Sequence, residues 1–345
     1  MFKASRKTIA FVAVASLYAL NVNVNMTRRA RFIEEERRLS IDLGDGACVL
    51  TGASKETVAE GTTKTILASY PGSGKKFTYA VIEGLTDHKS GDDWNFSALG
   101  PDTLHLKTSY PHKEGTWTWK DQFDQVILLI RNPRWALPSY HTMRFELDYS
   151  SNWAESYARI PFVYTSRPDV ATWKGWRDLH FDEELDNWVN YVEFWMEDGL
   201  YPDGSFDAHC TSDMDCKPKA VIDFDRFYQE HPTTEFYKVD AILGGGTNVE
   251  MIAAQARTCI LDAVFDKKLL HNANRNGNGP PQSSKTFSTE QLSEMLNRLS
   301  ELRGKYAVAP HTENPIATEL VKVLDEYNAQ IGAEYEFQID QTQTA

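Results

Sequence analysis

Residues 65–77 read TILASYPGSGKKF and combine a short apolar run, a glycine turn and the start of an amphipathic pattern. The apolar run 66–68 is typical of a buried strand, and apolar residues recur at helical spacing from Phe77 onward. Glycines let backbone N–H groups curl around an anion, and the dipole of a following helix adds positive potential. Lys75 and Lys76 fall in the first helical turn, where cations are unfavourable unless an anion is bound. The stretch therefore predicts a phosphate or sulfate site.

The loop differs from the Walker A motif of P-loop kinases and NTPases. That pattern needs a glycine at the position of Ser69 and a Ser or Thr directly after Lys75, where Lys76 stands. The hydroxyl that would hold Mg²⁺ is therefore absent. A nucleotide-dependent kinase or NTPase of the P-loop class stays an alternative. So does a plain strand-to-helix turn with solvated lysines.

The composition indicates a globular chain with an acidic surface. A length of 345 residues and a hydrophobic content of 41% suffice for one large α/β domain or two small ones. The formal net charge of -13 argues against a general nucleic-acid-binding protein, whose affinity needs a basic face. An anionic small ligand would have to be held by a local basic pocket.

Strand patterns alternate with helix patterns along the chain, which predicts a parallel sheet flanked by helices on both faces. The run QVILLI (Gln125–Ile130) is typical of a buried parallel strand, and Arg131 follows it where open α/β sheets bind ligands. The polar stretch 86–93 is interpreted as a loop. Further strands are predicted at 103–108 and 219–224, and helices at 76–85, from 135, and at 181–199, 235–243, 249–265, 292–304 and 316–331.

The N-terminus has the pattern of a targeting segment. Three basic residues precede the apolar run 9–20, which is short for a membrane span. A cleaved signal peptide and an uncleaved anchor both fit, and the lack of a clear cleavage site favours the anchor. We expect 1–25 to be this segment, 26–60 a charged stalk or linker, and 61–335 the folded domain.

Four cysteines fit a chain on the secretory route. Cys210 and Cys216 either close a small disulfide or remain thiols, since spacing alone does not decide. His209 lies beside Cys210, but no second Cys/His pair completes a tetrahedral site, so no metal is predicted. Asn25 and Asn95 begin glycosylation sequons, which matter only if the domain is lumenal.

Several segments, in this order, resemble sulfotransferases that use 3′-phosphoadenosine-5′-phosphosulfate (PAPS). TILASYPGSGKKF is similar to their 5′-phosphosulfate loop, and LKTSYPHKEG to their Lys-Thr-His-x-Pro segment. ILLIRNPRWALPS resembles the signature that binds the 3′-phosphate, and NRNGNG resembles the C-terminal loop that closes over the cofactor. The cofactor-binding residues that the resemblance implies are Pro71, Gly72, Ser73, Gly74, Lys75, Lys76, Phe77, Arg131, Ser139 and Arg275.

The segments SYPGSG and EGLT are most similar to sulfotransferase modules found beside WSC domains and in algae. The resemblance implies a P-loop-like α/β sulfotransferase fold over 61–335, PAPS as the donor, no metal, and a hydroxyl acceptor on a carbohydrate. Together with the N-terminal segment it implies a single-pass Golgi membrane protein with a lumenal catalytic domain, or alternatively a secreted protein. The acceptor and the oligomeric state do not follow from these segments.

The sequence departs from the family first in the loop. Where the family has a cation, this chain has Gly72. Lys75 or Lys76 would then supply the charge that assists catalysis, and we favour Lys76.

The second departure concerns the general base. The histidine that often serves in the family is Ser109 here, and a serine cannot accept a proton at neutral pH unaided. His105 and His112 flank this position, and Lys107 lies on the same strand face as His105. Glu83 is more remote along the predicted helix. His105, Lys107 and His112 are therefore the further catalytic candidates. A non-catalytic, membrane-anchored module that binds 3′,5′-adenosine diphosphate is the remaining alternative.

Two tryptophan pairs have two interpretations. Trp117 and Trp119, or Trp173 and Trp176, could stack on the rings of a sugar acceptor. Tryptophans of this kind more often belong to the core.

Overall fold

The computed structural model describes about two thirds of the chain: residues 41–42, 49–50, 57–93, 103–116, 123–149, 168–207, 210, 216–228, 232–252 and 284–344. The expected targeting segment 1–25, nearly all of the stalk 26–60, Trp117, Trp119 and Arg275 lie outside these residues. Most of the helix predicted at 249–265 does too. No described helix is both long enough and apolar enough to cross a membrane.

Among the residues described, the central sheet has five strands, all parallel. A separate two-residue pair, β1 (Ile41–Asp42) and β2 (Val49–Leu50), is antiparallel. The strands of the main sheet are β3 (Thr65–Ser69), β4 (Ser90–Asp92), β5 (His105–Thr108), β6 (Gln125–Ile130) and β7 (Pro218–Asp223). Their order across the sheet is β4-β5-β3-β6-β7.

The described part of the chain contains six α-helices that flank the sheet: α1 (Lys75–Thr86), α2 (Pro133–Tyr149), α3 (Val170–Met196), α4 (Pro232–Gly244), α5 (Thr289–Tyr306) and α6 (Pro315–Thr344). The strand side chains alternate between two cores because neighbouring residues of a strand face opposite ways. Ile66 and Leu128 join the core under α2, α3, α5 and α6. Leu67 and Ile127 join the core under α1 and α4. The predicted α/β class, a central parallel sheet flanked by helices, is confirmed.

The stretch 86–93, interpreted as a loop, contains strand β4. Its residues are too polar to be recognised as a strand from the sequence. Pairing with β5 forms it, and two side chains of α1 hold its first residue. The Tyr79 hydroxyl donates to the carbonyl oxygen of Ser90 at 2.7 Å, and Glu83 Oε1 accepts from the Ser90 N–H at 2.7 Å. Glu83 therefore helps to hold β4 in place.

Several predicted helix ends are wrong. Helix α3, predicted at 181–199, spans Val170–Met196 and begins after an N-cap at Asp169. The capping box at Ser288 and Gln291 starts α5 as expected, but the helix continues past Gly304 to Tyr306. Helix α6 extends well beyond Ile331, because Glu334 and Gln338 contact other elements far along it. These are tertiary contacts, so the length of α6 could not be predicted from the local sequence pattern.

Two alternatives that the sequence left open are resolved. Cys210 and Cys216 form a disulfide, with their Cα atoms 5.3 Å apart. Trp173 is fully buried and belongs to the core, so it offers no face to a sugar. Trp176 stacks on Trp173, with ring centroids 5.7 Å apart.

Candidate functional site

The loop between β3 and α1 depends on two glycines in the left-handed conformation. The φ angles are 84° at Gly72 and 87° at Gly74. A Cβ at Gly72 would lie 2.4 Å from the Ala136 carbonyl oxygen and 2.6 Å from the Tyr140 backbone nitrogen. A Cβ at Gly74 would lie 2.1 Å from the Phe224 ring. A side chain at Gly72, such as the cation found there in the sulfotransferases that the loop resembles, is therefore sterically excluded, because the backbone of α2 occupies its space.

This contact predicts a stability difference between two glycine variants. Gly61 also has a positive φ, 76°, but no atom lies within 4 Å of a Cβ built there. Both Gly61→Ala and Gly72→Ala should lose about 1–2 kcal/mol for the left-handed backbone. Gly72→Ala should lose at least twice as much, because the Cβ overlaps backbone atoms that cannot move aside cheaply. Urea denaturation measures both, and equal losses would show that α2 does not confine the loop.

Ser73 lies between these glycines and has a buried hydroxyl. The residue is 0% exposed, and among the described residues its Oγ has no hydrogen-bond partner. A buried hydroxyl without a partner is costly, so it points to a group that is bound there. Helix α1 begins directly afterwards, with Gly74 as an N-cap that has no side chain to accept from the first N–H groups. An anionic oxygen would satisfy both.

Arg131 reaches this loop from the end of β6. Its Nη1 donates to the Gly72 carbonyl oxygen at 3.0 Å and to Ser139 Oγ at 2.8 Å. Its Nε donates to Asp225 Oδ1 at 3.2 Å, and its guanidinium lies 4.9 Å from the centroid of the Phe224 ring. The structure thus brings Arg131 and Ser139 together against the glycine loop.

Lys75 is the loop cation whose position the structure describes. Its Nζ donates to Ser109 Oγ, across the edge of the sheet from β3 to β5. Burial lowers the pKa of Lys75, and the carboxylates of Asp93 and Asp92 oppose that shift. Lys76 lies in the same helical turn, but its side chain is outside the described part of the chain. Lys75 therefore places a positive charge between the glycine loop and the end of β5.

Asp93 follows β4 and was not among the residues that the sequence singled out. It is buried, and its Oδ2 accepts from Thr108 Oγ1 at 2.7 Å and from the Thr116 N–H at 3.0 Å. Burial, and then the neighbouring Asp92 carboxylate, raise the pKa of Asp93 to about 6, while Lys75 acts in the opposite direction. A carboxylate of this kind is suited to accept a proton near neutral pH.

His112 is held by both of its ring nitrogens. Its Nε2 lies 3.2 Å from Glu184 Oε2, and its Nδ1 accepts from the Glu114 N–H at 3.1 Å. The same buried Glu184 accepts from the Tyr70 hydroxyl at 2.7 Å and from Lys113 Nζ at 2.9 Å. Because both nitrogens are engaged, His112 is placed to brace the loop after β5 and not to remove a proton from a substrate.

The structure does not bring His105 to the loop. His105 is the first residue of β5, about 10 Å from Thr108 at ~3.3 Å per residue, and so lies toward the opposite end of the sheet. Burial lowers the pKa of His105 to about 3. Lys107 lies nearer to the site, where its Nζ pairs with Asp92 at 3.1 Å and covers the ring of Tyr79 at 4.5 Å.

Pro71 and Phe77, the two ends of the loop, are buried. The Phe77 ring packs at centroid distances of 5.7 Å from Phe224 and 5.3 Å from Phe227. Phe77 therefore anchors the loop in the core beneath α1.

The strand order aligns the site residues along one edge of the sheet, because the carboxyl ends of parallel strands meet there. Across the sheet, this edge carries in spatial order Asp93 after β4, Ser109 after β5, the glycine loop after β3, Arg131 after β6 and Asp225 beyond β7. Neighbouring strands are about 4.8 Å apart. The connections leave β3 and β6 in opposite directions, and open α/β sheets bind ligands in the crevice at such a point.

Neither a family model nor a curated protein nor a solved structure matches the chain. Within the described ranges, no group of three or more His, Cys, Asp or Glu side chains could hold a metal ion.

Proposed function

We propose that this chain is a sulfotransferase that transfers a sulfuryl group from PAPS to a hydroxyl acceptor. The contact of Arg131 with Ser139 and with the Gly72 carbonyl, next to the buried Ser73 hydroxyl, carries the proposal. A guanidinium and a hydroxyl suit the 3′-phosphate, since charged bidentate donors bind phosphates strongly. Ser73 and the first turn of α1 would hold the 5′-phosphosulfate.

PAPS would supply an activated sulfate whose bond to the 5′-phosphate breaks during transfer. Lys75 would stabilise the negative charge that develops on the departing phosphate oxygen. In phosphoryl transfer, such positioning and cationic stabilisation supply most of the rate, and sulfuryl transfer is analogous. Ser109 accepts a hydrogen bond from Lys75 and so orients the ammonium group along the edge of the sheet.

Asp93 would accept the proton of the acceptor hydroxyl. With a pKa of about 6 it is ionised at neutral pH, yet it holds a proton more tightly than an ordinary aspartate. The acceptor oxygen forms its bond to sulfur, its proton passes to the Asp93 carboxylate, and 3′,5′-adenosine diphosphate leaves. This assignment fills the role that Ser109 cannot fill.

The disulfide between Cys210 and Cys216 supports an oxidising compartment for the domain. Together with the basic and apolar N-terminal segment, it favours a Golgi-lumenal or secreted sulfotransferase. A carbohydrate hydroxyl is the acceptor class proposed for that compartment.

The deciding experiment combines calorimetric titration of 3′,5′-adenosine diphosphate with transfer of radiolabelled sulfate from PAPS to a glycan panel, without added metal. We expect nucleotide binding and transfer. Binding without transfer would favour the non-catalytic module, for which the serine at position 109 is the supporting observation. Binding of Mg²⁺·ATP in place of 3′,5′-adenosine diphosphate would overturn the proposal in favour of a kinase or NTPase.

Ser109→Ala tests whether this serine only orients Lys75. The variant removes one hydrogen bond, worth about 1 kcal/mol, so kcat should fall by at most about tenfold. Steady-state kinetics with saturating PAPS measure the change. A loss of a thousandfold in a folded variant would make Ser109 essential and contradict the assignment of the proton to Asp93.

A further inference from the structure

Asp225 holds the end of β6 with both of its carboxylate oxygens. Its Oδ1 accepts from Arg131 Nε at 3.2 Å, and its Oδ2 accepts from the Asn132 N–H at 2.9 Å. Asp225 comes from the turn after β7, the strand next to β6 in the sheet. A carboxylate that binds two successive residues fixes the orientation of their segment as well as its distance. The Arg131 side chain is therefore attached to the neighbouring strand end.

The contacts of the Arg131 guanidinium leave one of its nitrogens for a ligand. Nε donates to Asp225, and Nη1 donates to the Gly72 carbonyl oxygen and to Ser139 Oγ. Among the residues that the structure describes, Nη2 has no acceptor. Because the guanidinium is planar and its donors form a rigid fork, fixing Nε and Nη1 also fixes the direction of the two Nη2 N–H groups.

The core of the protein sets the position of Asp225. The Asp225 N–H donates to Asp223 Oδ1 at 2.9 Å, and the Tyr327 hydroxyl of α6 donates to the same oxygen at 2.7 Å. Asp223 and Tyr327 are both 0% exposed. The carboxylate that binds Arg131 is therefore held from beneath by β7 and α6, so its place does not depend on a bound nucleotide.

Asp223 and Asp225 are neighbouring carboxyl groups, of which Asp225 keeps the negative charge. Burial, and then the Asp225 carboxylate, raise the pKa of Asp223 to about 8, so Asp223 holds a proton at neutral pH. Burial also raises the pKa of Asp225, but Arg131 and the Asn132 N–H act in the opposite direction. The charged member of the pair is thus the one that faces the guanidinium.

We infer that Asp225 is a positioning residue that lets the site select nucleotides with a 3′-phosphate, because it aims Arg131 at that group. A carboxylate beside a phosphate site is otherwise unfavourable, since it repels the phosphate and offsets the charge of the guanidinium. Its presence is accounted for if a fork fixed in advance adds more affinity than the cancelled charge removes. The inference rests on the proposed sulfotransferase function and adds a residue that acts through Arg131.

The test compares two nucleotides that differ only in the 3′-phosphate. Calorimetry gives the Kd of 3′,5′-adenosine diphosphate and of 5′-adenosine monophosphate for the unsubstituted chain and for Asp225→Asn. The preference is the Kd of the monophosphate divided by that of the diphosphate. We expect Asp225→Asn to lower this preference about tenfold, which corresponds to losing about one hydrogen bond to a charged group.

The sign of the change separates positioning from charge. If Asp225 acted only through its field, removing its charge would strengthen binding of the additional phosphate, and the preference would rise. If it only supported the fold, both nucleotides would be affected equally, and the preference would stay the same. Either result would overturn the inference while the proposed function stands. An unsubstituted chain without any preference for the 3′-phosphate would overturn the proposed function, and the inference with it.

A second substitution tests whether Asp225 acts through Arg131. In an Arg131→Ala chain, adding Asp225→Asn should leave the preference unchanged, because no guanidinium remains to be aimed. A further fall would contradict the inference. Asp325→Asn is the matched control, since Asp325 is an exposed aspartate of α6 that pairs with Arg303 at 2.9 Å, and it should keep the full preference.

A milder variant keeps the test decisive if Asp225→Asn does not fold. Gln330 is exposed on α6, and its Oε1 accepts from Asn132 Nδ2 at 3.0 Å. Gln330→Ala therefore loosens the segment that Asp225 holds without changing any charge. It should lower the preference for the 3′-phosphate about twofold to threefold, and an unchanged preference would count against the inference.

Discussion

Replacing Arg131 with alanine is expected to weaken binding of 3′,5′-adenosine diphosphate by roughly a hundredfold or more. Each hydrogen bond between a guanidinium and a phosphate is worth about 1.5–3 kcal/mol, and a fork offers two. About 1.4 kcal/mol corresponds to a factor of ten in affinity, so the loss amounts to at least about two such factors. Isothermal titration calorimetry measures it directly.

Arg131 also supports the loop and pairs with Asp225, so its removal needs companion variants. Arg131→Lys keeps a positive charge beside Asp225 but loses the fork, and should bind with intermediate affinity. Ser139→Ala removes only the neighbouring hydroxyl and should weaken binding about tenfold. Arg298→Ala, on the surface of α5, is the matched control and should bind normally. Unchanged affinity in a folded Arg131→Ala chain would refute the assignment of the 3′-phosphate.

Asp93→Asn should lower kcat by about 10²–10⁴-fold, the usual contribution of a general base, and leave nucleotide affinity unchanged. Asparagine has the same shape and can still accept from Thr108 and Thr116, so the fold around it should persist. Asp182→Asn, at an exposed position of α3, removes the same charge elsewhere and should keep full activity. If Asp93→Asn retained kcat within tenfold, the base would have to be another group.

The pH dependence separates Asp93 from an ordinary carboxylate. Because the base must be ionised, kcat/KM should rise with pH through an inflection near 6, whereas an ordinary aspartate titrates near 3.8. The native state binds this proton more tightly than the unfolded chain, so its contribution to stability declines as pH rises from about 4 to 6. Asp93→Asn should therefore be more stable than the unsubstituted chain above pH 6, although its kcat is lower. Thermal denaturation at pH 5 and pH 7.5 measures this difference.

The glycine loop could be predicted from residues 65–77 because its determinants are local. The apolar run, the glycine turn and the apolar residues at helical spacing follow one another along the chain. The observed bounds of β3 and α1 lie within one residue of the predicted ones. Strand β4 could not be predicted, because SGD has no strand propensity of its own and depends on β5 and on the Tyr79 and Glu83 side chains. Asp93 went unnoticed for the same reason.

The two histidines that the sequence offered as general bases show what alternation along a strand cannot predict. His105 and Lys107 share a strand face, as predicted, but only the assembled sheet shows which end of β5 meets the glycine loop. His112 lies in the segment after β5, and its partner Glu184 comes from α3, far along the chain. The contact between His112 and Glu184 therefore could not be predicted from the spacing of residues in the sequence.

The sequence by itself determined the α/β class, the glycine loop and the position of Arg131 at a strand end, since these depend on short-range propensity and periodicity. The tertiary structure decided three further points. It placed the α2 backbone where a side chain at Gly72 would lie, set Lys75 against Ser109, and buried Asp93 beside them. The steric exclusion at Gly72, the contact of Lys75 with Ser109 and the desolvation of Asp93 all depend on residues that are distant in the sequence. Only folding brings those residues together.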